Sequence, residues 1–224
     1  MIVHPYLAPN SVLQLLSGLV ALLVSYYAFR YGRVATSSFL RLLSLGFMLL
    51  GLGLLAQGSV LTLYLFNIGK ISDRVNLTYD ATALYLVLQV IAYLLIGLGY
   101  ARRMHASPSS EPKPSVPAAA LVAMATTTVI PLLRTRLFEF SELVIIILVA
   151  FIAFQALLVY SENKTRFPLL ILTAFALICV AHVGSLLSAV LASGALYLVG
   201  GLIQLAGFLA LLYFVIRSGR VGTA

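Results

Sequence analysis

The C-terminal part of the sequence consists of two long apolar runs joined by two residues. The runs cover residues 169–192 and 195–216, and only Ser193 and Gly194 separate them. At about 1.5 Å per residue, each run is long enough as a helix to cross a hydrocarbon layer of roughly 30 Å. The pair therefore predicts an antiparallel transmembrane hairpin, which commits the chain to a membrane fold.

The same length criterion predicts seven transmembrane helices in the whole chain. The predicted spans are residues 11–29, 38–66, 81–101, 116–133, 143–160, 169–192 and 195–216. Composition agrees, because 62% of the residues are hydrophobic and 9% are charged, whereas soluble proteins have about 25% charged residues. The predicted fold class is an all-α integral membrane protein, with residues 1–224 in a single membrane domain.

Basic residues are unevenly distributed between the two sides of the predicted bundle. The net charge is +8, but the Lys and Arg residues are scattered in short segments between spans, which favours membrane orientation over nucleic-acid binding. With seven spans, ten basic residues fall on one side and four on the other. The positive-inside rule then predicts an external N-terminus, a cytoplasmic C-terminus and a multi-pass protein of the cell membrane. The first run lacks a basic leader and a cleavage site, so we expect no signal peptide.

A repeated pentapeptide indicates internal symmetry. Ala-Leu-Tyr-Leu-Val occurs at 83–87 and again at 195–199, an offset of 112 residues. Gly46-Phe47-Met48-Leu49 aligns with residues 174–177 at an offset of 128, so the first copy has an insertion, which we expect to be a polar outer loop at about 67–82. In so leucine-rich a chain, a chance match is the alternative.

The repeat predicts a parallel 3+1+3 arrangement of the helices. Residues 11–101 form the first three-helix repeat, 102–133 a linker and connecting helix, and 142–217 the second repeat. With one span between them, the two repeats have the same orientation in the membrane.

Three uncharged polar residues lie at a similar depth in the predicted spans. Gln89, His182 and Gln204 are each roughly 13 to 17 Å from the outer surface at about 1.5 Å per residue. They line a ligand pocket or, alternatively, join the helices, with His182 donating to Gln204. We expect no charged residue deep within a span, because Arg41 and Glu142 lie at span ends and reach the interface. A carboxylate proton relay is therefore not expected.

Small residues recur at helical spacing in the last two spans and predict close packing. This predicted close-packing face consists of Ala181, Gly184, Ser185, Ser188, Ala192, Gly200 and Gly201. Such a face indicates a tight hairpin or, alternatively, a docking surface for a partner subunit. Asn76 lies in an Asn-Leu-Thr sequon on the predicted outer side and is a possible glycosylation site.

No catalytic or metal-binding signature is found in the sequence. It contains no H-E-x-x-H, G-x-S-x-G or phosphate-loop motif. Cys179 is the only cysteine, and His182 is the only histidine in a span, so no multi-cysteine metal site or paired-histidine haem is expected. We therefore expect no enzymatic activity, cofactor or metal.

Two functions remain open from the sequence. The first is a sensory, binding or accessory subunit of a membrane complex, acting in the lipid bilayer through a membrane-protein partner or a homo-oligomer, with no nucleic acid. The alternative is a carrier or facilitator for a small uncharged solute, with its pocket between the two repeats.

Overall fold

The computed structural model describes residues 6–66, 71–105, 137–164 and 166–221. These residues form six helices, which we number in chain order: α1 (Leu7–Val34), α2 (Ser38–Leu65), α3 (Ile71–His105), α4 (Leu137–Asn163), α5 (Arg166–Val190) and α6 (Gly194–Val221). Each includes a segment of 23 or more residues that is long and apolar enough to cross a membrane. The chain is thus an all-α, multi-pass membrane protein suited to a lipid bilayer.

The helices agree with six of the predicted spans, and the remaining span cannot be compared. The predicted fourth span, 116–133, and the linker before it lie outside the described residues. One boundary was wrong, because residues 71–82 continue α3 instead of forming an outer loop. The apolar run marks only the part of a helix that lies in hydrocarbon, and polar turns extend α3 beyond it.

The described helices form a closed ring. Each packs mainly against its two neighbours in chain order, and α6 packs against α1 to complete the circle. The outward faces carry exposed apolar side chains such as Leu16, Leu19 and Leu23. In hydrocarbon such side chains need no protein partner, since lipid tails are as apolar as leucine.

Glycine allows close helix crossings in both halves of the ring. A Cβ atom on Gly46 of α2 would lie 2.9 Å from the carbonyl oxygen of Ala92 on α3. A Cβ atom on Gly207 of α6 would lie 3.1 Å from the carbonyl oxygen of Ala174 on α5. The first distance is shorter than real Cβ atoms show, and the Cβ atom on Gly207 would also lie 2.8 Å from Ile178 Cγ1. A side chain at either position would therefore force its neighbours at the α2–α3 or α5–α6 crossing to shift.

Helices α3 and α4 run in the same direction. Tyr85 of α3 lies at the level of Glu142 of α4, and Gly97 lies further along, close to Phe151 and Ile152. Helices α1, α3, α4 and α6 therefore begin at one end of the ring, which we call the N-terminal end. Most described basic residues lie at the opposite, basic end: Arg30, Arg33, Arg41, Arg102, Lys164 and Arg217.

Aromatic side chains fill the centre of the ring between its two ends. This aromatic layer consists of Phe39, Phe47, Tyr100, Phe175 and Phe208, all buried. Phe47 meets Phe208 edge to face, with 5.6 Å between ring centroids, and Tyr100 meets Phe175 in the same way at 6.2 Å. The layer closes the interior with the contact geometry that aromatic rings prefer.

Candidate binding site

His182 of α5 is the centre of a buried polar cluster. Its Nδ1 lies 2.8 Å from Glu142 Oε2 on α4. Its Nε2 lies 3.1 Å from Gln89 Nε2 and 3.2 Å from Tyr93 Oη, both on α3. Only 3% of the His182 side chain and 5% of the Glu142 side chain are exposed. The cluster therefore joins three helices through an acid–base pair that is shielded from solvent.

The position of Glu142 contradicts the sequence prediction. We expected this carboxylate to reach the membrane interface, but α4 begins at Leu137 and carries Glu142 inward in its second turn. There Glu142 shares a face with buried Ile145, Val149 and Ile152, which follow it at helical spacing. That spacing was readable in the sequence, but α4 is apolar on every side, so hydrophobicity could not indicate which face is turned inward.

A small cavity lies beside the Glu142–His182 pair, and we call it the chamber. Its volume is ≈ 30 Å³, and all six described helices contribute to its lining. The lining residues are Asn10, Leu13, Gln14, Ser17, Leu54, Tyr85, Glu142, His182, Ser185, Tyr197, Gly201 and Gln204. These residues come from the N-terminal end of the ring. The chamber is thus a mostly polar space near the ring axis, at the N-terminal end of the ring.

The three residues of the predicted polar band lie near one another, but their contacts differ from the expected ones. Gln89 contacts His182 directly, whereas Gln204 lines the chamber together with Tyr85. Gln204 Nε2 is buried without a hydrogen-bond partner. Both ring nitrogens of His182 face groups other than Gln204, because Glu142 provides a stronger, charge-assisted partner.

Sequence reasoning did not identify Gln14 and the two repeat tyrosines as site residues. Gln14 Nε2 lies 3.5 Å from Tyr197 Oη, while Gln14 Oε1 is buried without a partner. Tyr85 and Tyr197 hold the same place in the repeated pentapeptide, and both line the chamber. The repetition was visible in the sequence and could have identified both tyrosines as equivalent lining groups.

Part of the predicted close-packing face lies between α5 and α6. A Cβ atom on Gly200 would be 3.1 Å from the carbonyl oxygen of Ala181 and 3.5 Å from Ser185 atoms, and one on Gly184 would be 3.6 Å from Gly200 Cα. These four residues therefore lie inside the hairpin. Their contacts leave little room for a partner subunit between α5 and α6.

The other predicted residues have different surroundings. Ser188 is buried and donates to the Ser185 carbonyl oxygen at 2.7 Å. Ala192 is exposed in the turn after α5 with a φ of 50°, and Gly201 faces Leu13 of α1. Asn76 lies in the first turns of α3, and its glycosylation stays a prediction.

A larger cavity lies at the basic end of the ring, and we call it the vestibule. Its volume is ≈ 530 Å³, and its lining includes Thr36, Leu40, Tyr100, Arg102 and Ile171. Phe39 and Tyr100 of the aromatic layer form part of the vestibule lining, and no described residue lines both the vestibule and the chamber. In this conformation the two cavities are separate.

The described residues offer no group of three or more His, Cys, Asp or Glu side chains that could hold a metal ion. Comparisons of the chain with protein-family models, with curated proteins and with solved structures find no match. The functional argument therefore depends on the chamber and the residues around it.

Proposed function

We propose that this chain is a non-enzymatic, membrane-embedded binding protein that acts as a sensory or accessory subunit and binds its ligand in the chamber. The observation that carries the proposal is the Glu142–His182 pair, held at 2.8 Å beside a polar cavity. Ionisable residues within membrane helices are costly and usually mark a functional site. A chamber to which every described helix contributes is also well placed to transmit binding to the whole bundle.

The alternative is that the polar cluster only joins the helices. Energetics argue against it, because replacing a buried ion pair by apolar residues of similar volume is often neutral or stabilising by about 1 to 4 kcal/mol. The unpartnered Gln14 Oε1 and Gln204 Nε2 also favour binding, since each buried polar atom without a partner costs about 1 to 3 kcal/mol. Both residues line the chamber, where a bound molecule can supply the missing hydrogen bonds.

Apolar substitution of the pair distinguishes binding from helix joining. We expect His182→Leu to lower the free energy of unfolding by about 3 to 5 kcal/mol, because it leaves the Glu142 carboxylate buried and unpaired. His182→Gln should cost less, since it keeps a hydrogen-bonding group. The double variant Glu142→Leu, His182→Leu should regain most of the lost stability, as measured by thermal unfolding in detergent.

The outcome that contradicts the proposal is a double variant no more stable than His182→Leu. The pair would then be needed for helix association itself. Gln155→Leu is the control for an apolar substitution elsewhere on α4, because Gln155 lies outside the chamber lining.

A carrier for a small uncharged solute is the second candidate. It is favoured by the chamber lying where α1, α2 and α3 meet α4, α5 and α6, and by the vestibule at the other end. Transport would require the aromatic layer to open. The test is the entry of urea or glycerol into proteoliposomes, followed by light scattering. Entry no faster than in protein-free liposomes excludes this candidate for those solutes.

The proposed architecture behind both candidates is seven spans in a 3+1+3 parallel repeat. Parallel α3 and α4 support it, since the chain between them must join opposite ends of the ring. The two close crossings also correspond under the repeat. Gly46 at the α2–α3 crossing is equivalent to Ala174 at the α5–α6 crossing, at the offset of 128. Residue 95, which lies between Ala92 and Ile96 at the first crossing, is equivalent to Gly207 at the second, at the offset of 112. A best superposition of α3 on α4 or α5 would contradict the repeat.

The proposed subunit lies in the cell membrane and acts through a membrane-protein partner or another copy of itself. The absence of an extended soluble segment among the described residues supports this, because a ligand signal then has to pass through membrane contacts. Native mass spectrometry after extraction in mild detergent tests it. If the chain is strictly monomeric and has no partner, the subunit proposal is contradicted, whereas the proposal that the chamber binds a ligand is unaffected.

A further inference from the structure

The vestibule is large enough for part of an organic ligand. Its volume is ≈ 530 Å³, and pockets for small organic molecules usually measure about 300 to 1,000 Å³. Its lining comes from the turn before α2 and from α2, α3, α4, α5 and α6, and it shares no described residue with the chamber. What the vestibule binds is therefore independent of the ligand proposed for the chamber.

The mouth of the vestibule lies at the level of the membrane surface. Ser38, Arg102 and Pro168 are end residues of the apolar segments of α2, α3 and α5, and all three line the cavity. Ala156 also lines it and lies seven residues before the end of α4 at Asn163. That separation is about 10 Å along the helix. The cavity thus extends from the depth of lipid headgroups to the depth of hydrocarbon.

The interior of the vestibule is apolar. Phe39, Ala156, Ile171 and Phe214 line it, and all four are buried. Such a lining gives water few hydrogen-bond partners, and an unfilled space destabilises a protein in proportion to its volume. A hydrocarbon chain fills the space without needing polar partners, and the surrounding bilayer supplies such chains. The interior therefore favours lipid over water.

The polar groups of the vestibule favour an anion at its mouth. Arg102 is the charged residue among the described lining residues; it is exposed, and no described carboxylate forms an ion pair with it. Glu162, the acidic residue described at the basic end, lies outside the lining. Thr36, Ser37 and Ser38 add hydroxyl groups to the same lining. A guanidinium group beside hydroxyl donors suits the oxygens of a phosphate.

We propose that the vestibule binds one anionic phospholipid, with a hydrocarbon chain in the apolar interior and the phosphate at Arg102. The lipid comes from the leaflet that meets the basic end of the ring. Basic pockets between membrane helices commonly hold anionic headgroups in this way. A zwitterionic lipid should bind less well, because its headgroup also carries a positive charge that Arg102 repels.

The experiment uses the purified chain in mild detergent and three additives. They are phosphatidylglycerol, phosphatidylcholine with the same hydrocarbon chains, and glycerol 3-phosphate, which has the phosphate but no chain. We expect phosphatidylglycerol to raise the unfolding temperature, measured by circular dichroism, in a saturable way and more than phosphatidylcholine does. Glycerol 3-phosphate should have no effect. Native mass spectrometry should show one phosphatidylglycerol retained per chain.

Two exposed arginines at the basic end provide a matched pair of variants. Arg102 lines the vestibule, whereas Arg41 of α2 does not. We expect Arg102→Gln to raise the half-saturating concentration of phosphatidylglycerol about fivefold, the factor that one basic residue near a charged membrane surface contributes. Arg41→Gln should leave that concentration nearly unchanged.

Two alanines of α4 test the apolar interior. Ala156 is 1% exposed and lines the vestibule, whereas Ala150 is exposed and lies outside the lining. Ala156→Leu places additional carbon atoms in the space proposed for the chain. It should reduce the stabilisation by phosphatidylglycerol, and Ala150→Leu should not.

The wild-type measurements decide the inference even if a variant fails to fold. Equal stabilisation by the two phospholipids would overturn the recognition of an anionic headgroup. An effect of glycerol 3-phosphate equal to that of phosphatidylglycerol would assign the site to soluble phosphates instead of lipid. Equal effects of Arg102→Gln and Arg41→Gln would overturn the location in the vestibule. The chamber proposal fails separately, through an unstable double apolar variant.

Discussion

At the residue scale, both ring nitrogens of His182 are used within the interior of the bundle. The sequence predicted a similar depth for His182, Gln89 and Gln204, because helical rise converts residue number into depth. It could not predict the partners of His182, since depth does not specify which way a side chain points around the helix axis. Glu142 was missed for this reason. The length of the apolar run places it at the membrane interface, but its direction around the α4 axis turns it into the interior of the bundle.

A residue-scale prediction concerns the tyrosine that packs on the histidine. Tyr93→Phe removes the hydroxyl 3.2 Å from His182 Nε2 but keeps the edge-to-face ring contact at 5.8 Å. We expect a loss of about 0.5 to 1.5 kcal/mol in the free energy of unfolding, measured by thermal unfolding in detergent. Tyr26→Phe is the control, because Tyr26 is 57% exposed. Equal stability of the two variants would show that the Tyr93 hydroxyl does not contribute.

At the element scale, glycine at the helix crossings sets how closely the helices approach. The sequence predicted small residues for α5 and α6, where they form a stripe. The sequence did not indicate the close contact between α2 and α3, where Gly46 packs against the backbone of Ala92. Periodicity identifies a repeated pattern of small residues, whereas a single contact glycine looks like any other glycine in an apolar run.

The element-scale prediction is a comparison of two glycines near the α3 interfaces. A Cβ atom on Gly46 would lie 2.6 Å from Ile96 Cγ1 and 2.9 Å from the Ala92 carbonyl oxygen, whereas one on Gly97 would meet its nearest atom at 3.7 Å. Gly46→Ala should therefore destabilise the bundle by about 1 to 3 kcal/mol through overpacking. Gly97→Ala should be neutral or stabilising, since alanine favours helix over glycine by about 0.5 to 1 kcal/mol.

Thermal unfolding of both variants under one detergent condition measures the difference. If Gly46→Ala were as stable as Gly97→Ala, α2 and α3 would be able to move apart to accommodate the added methyl group without loss of free energy of unfolding. The close crossing would then not define the packing of the ring.

At the whole-molecule scale, the membrane class and six helix positions followed from apolar run lengths. The closed ring did not, because run lengths contain no information on which helices are neighbours. The chamber depends on that ring, and its location could be predicted only to the extent that the repeated pentapeptide implied two equivalent tyrosines. Orientation is still a prediction from ten basic residues against four.

Cysteine labelling at the two ends of α2 tests that orientation. Thr36 lies before α2 at the basic end, and Phe66, 72% exposed, ends it at the N-terminal end. In a Cys179→Ala background, Phe66→Cys should react with an impermeant maleimide in intact cells, and Thr36→Cys only after permeabilisation. The reverse pattern would invert the orientation, and labelling of both in intact cells would contradict a membrane-spanning α2.

The separation of Glu142 and His182 along the chain also affects how the protein is made. The two residues are 40 positions apart, and at about 5 to 20 residues per second the ribosome needs about 2 to 8 s to reach His182 after Glu142. During that interval α4 carries a carboxylate without its histidine. We therefore expect α4 to remain beside the insertion machinery until α5 is synthesised, so that the two helices enter the bilayer as a pair.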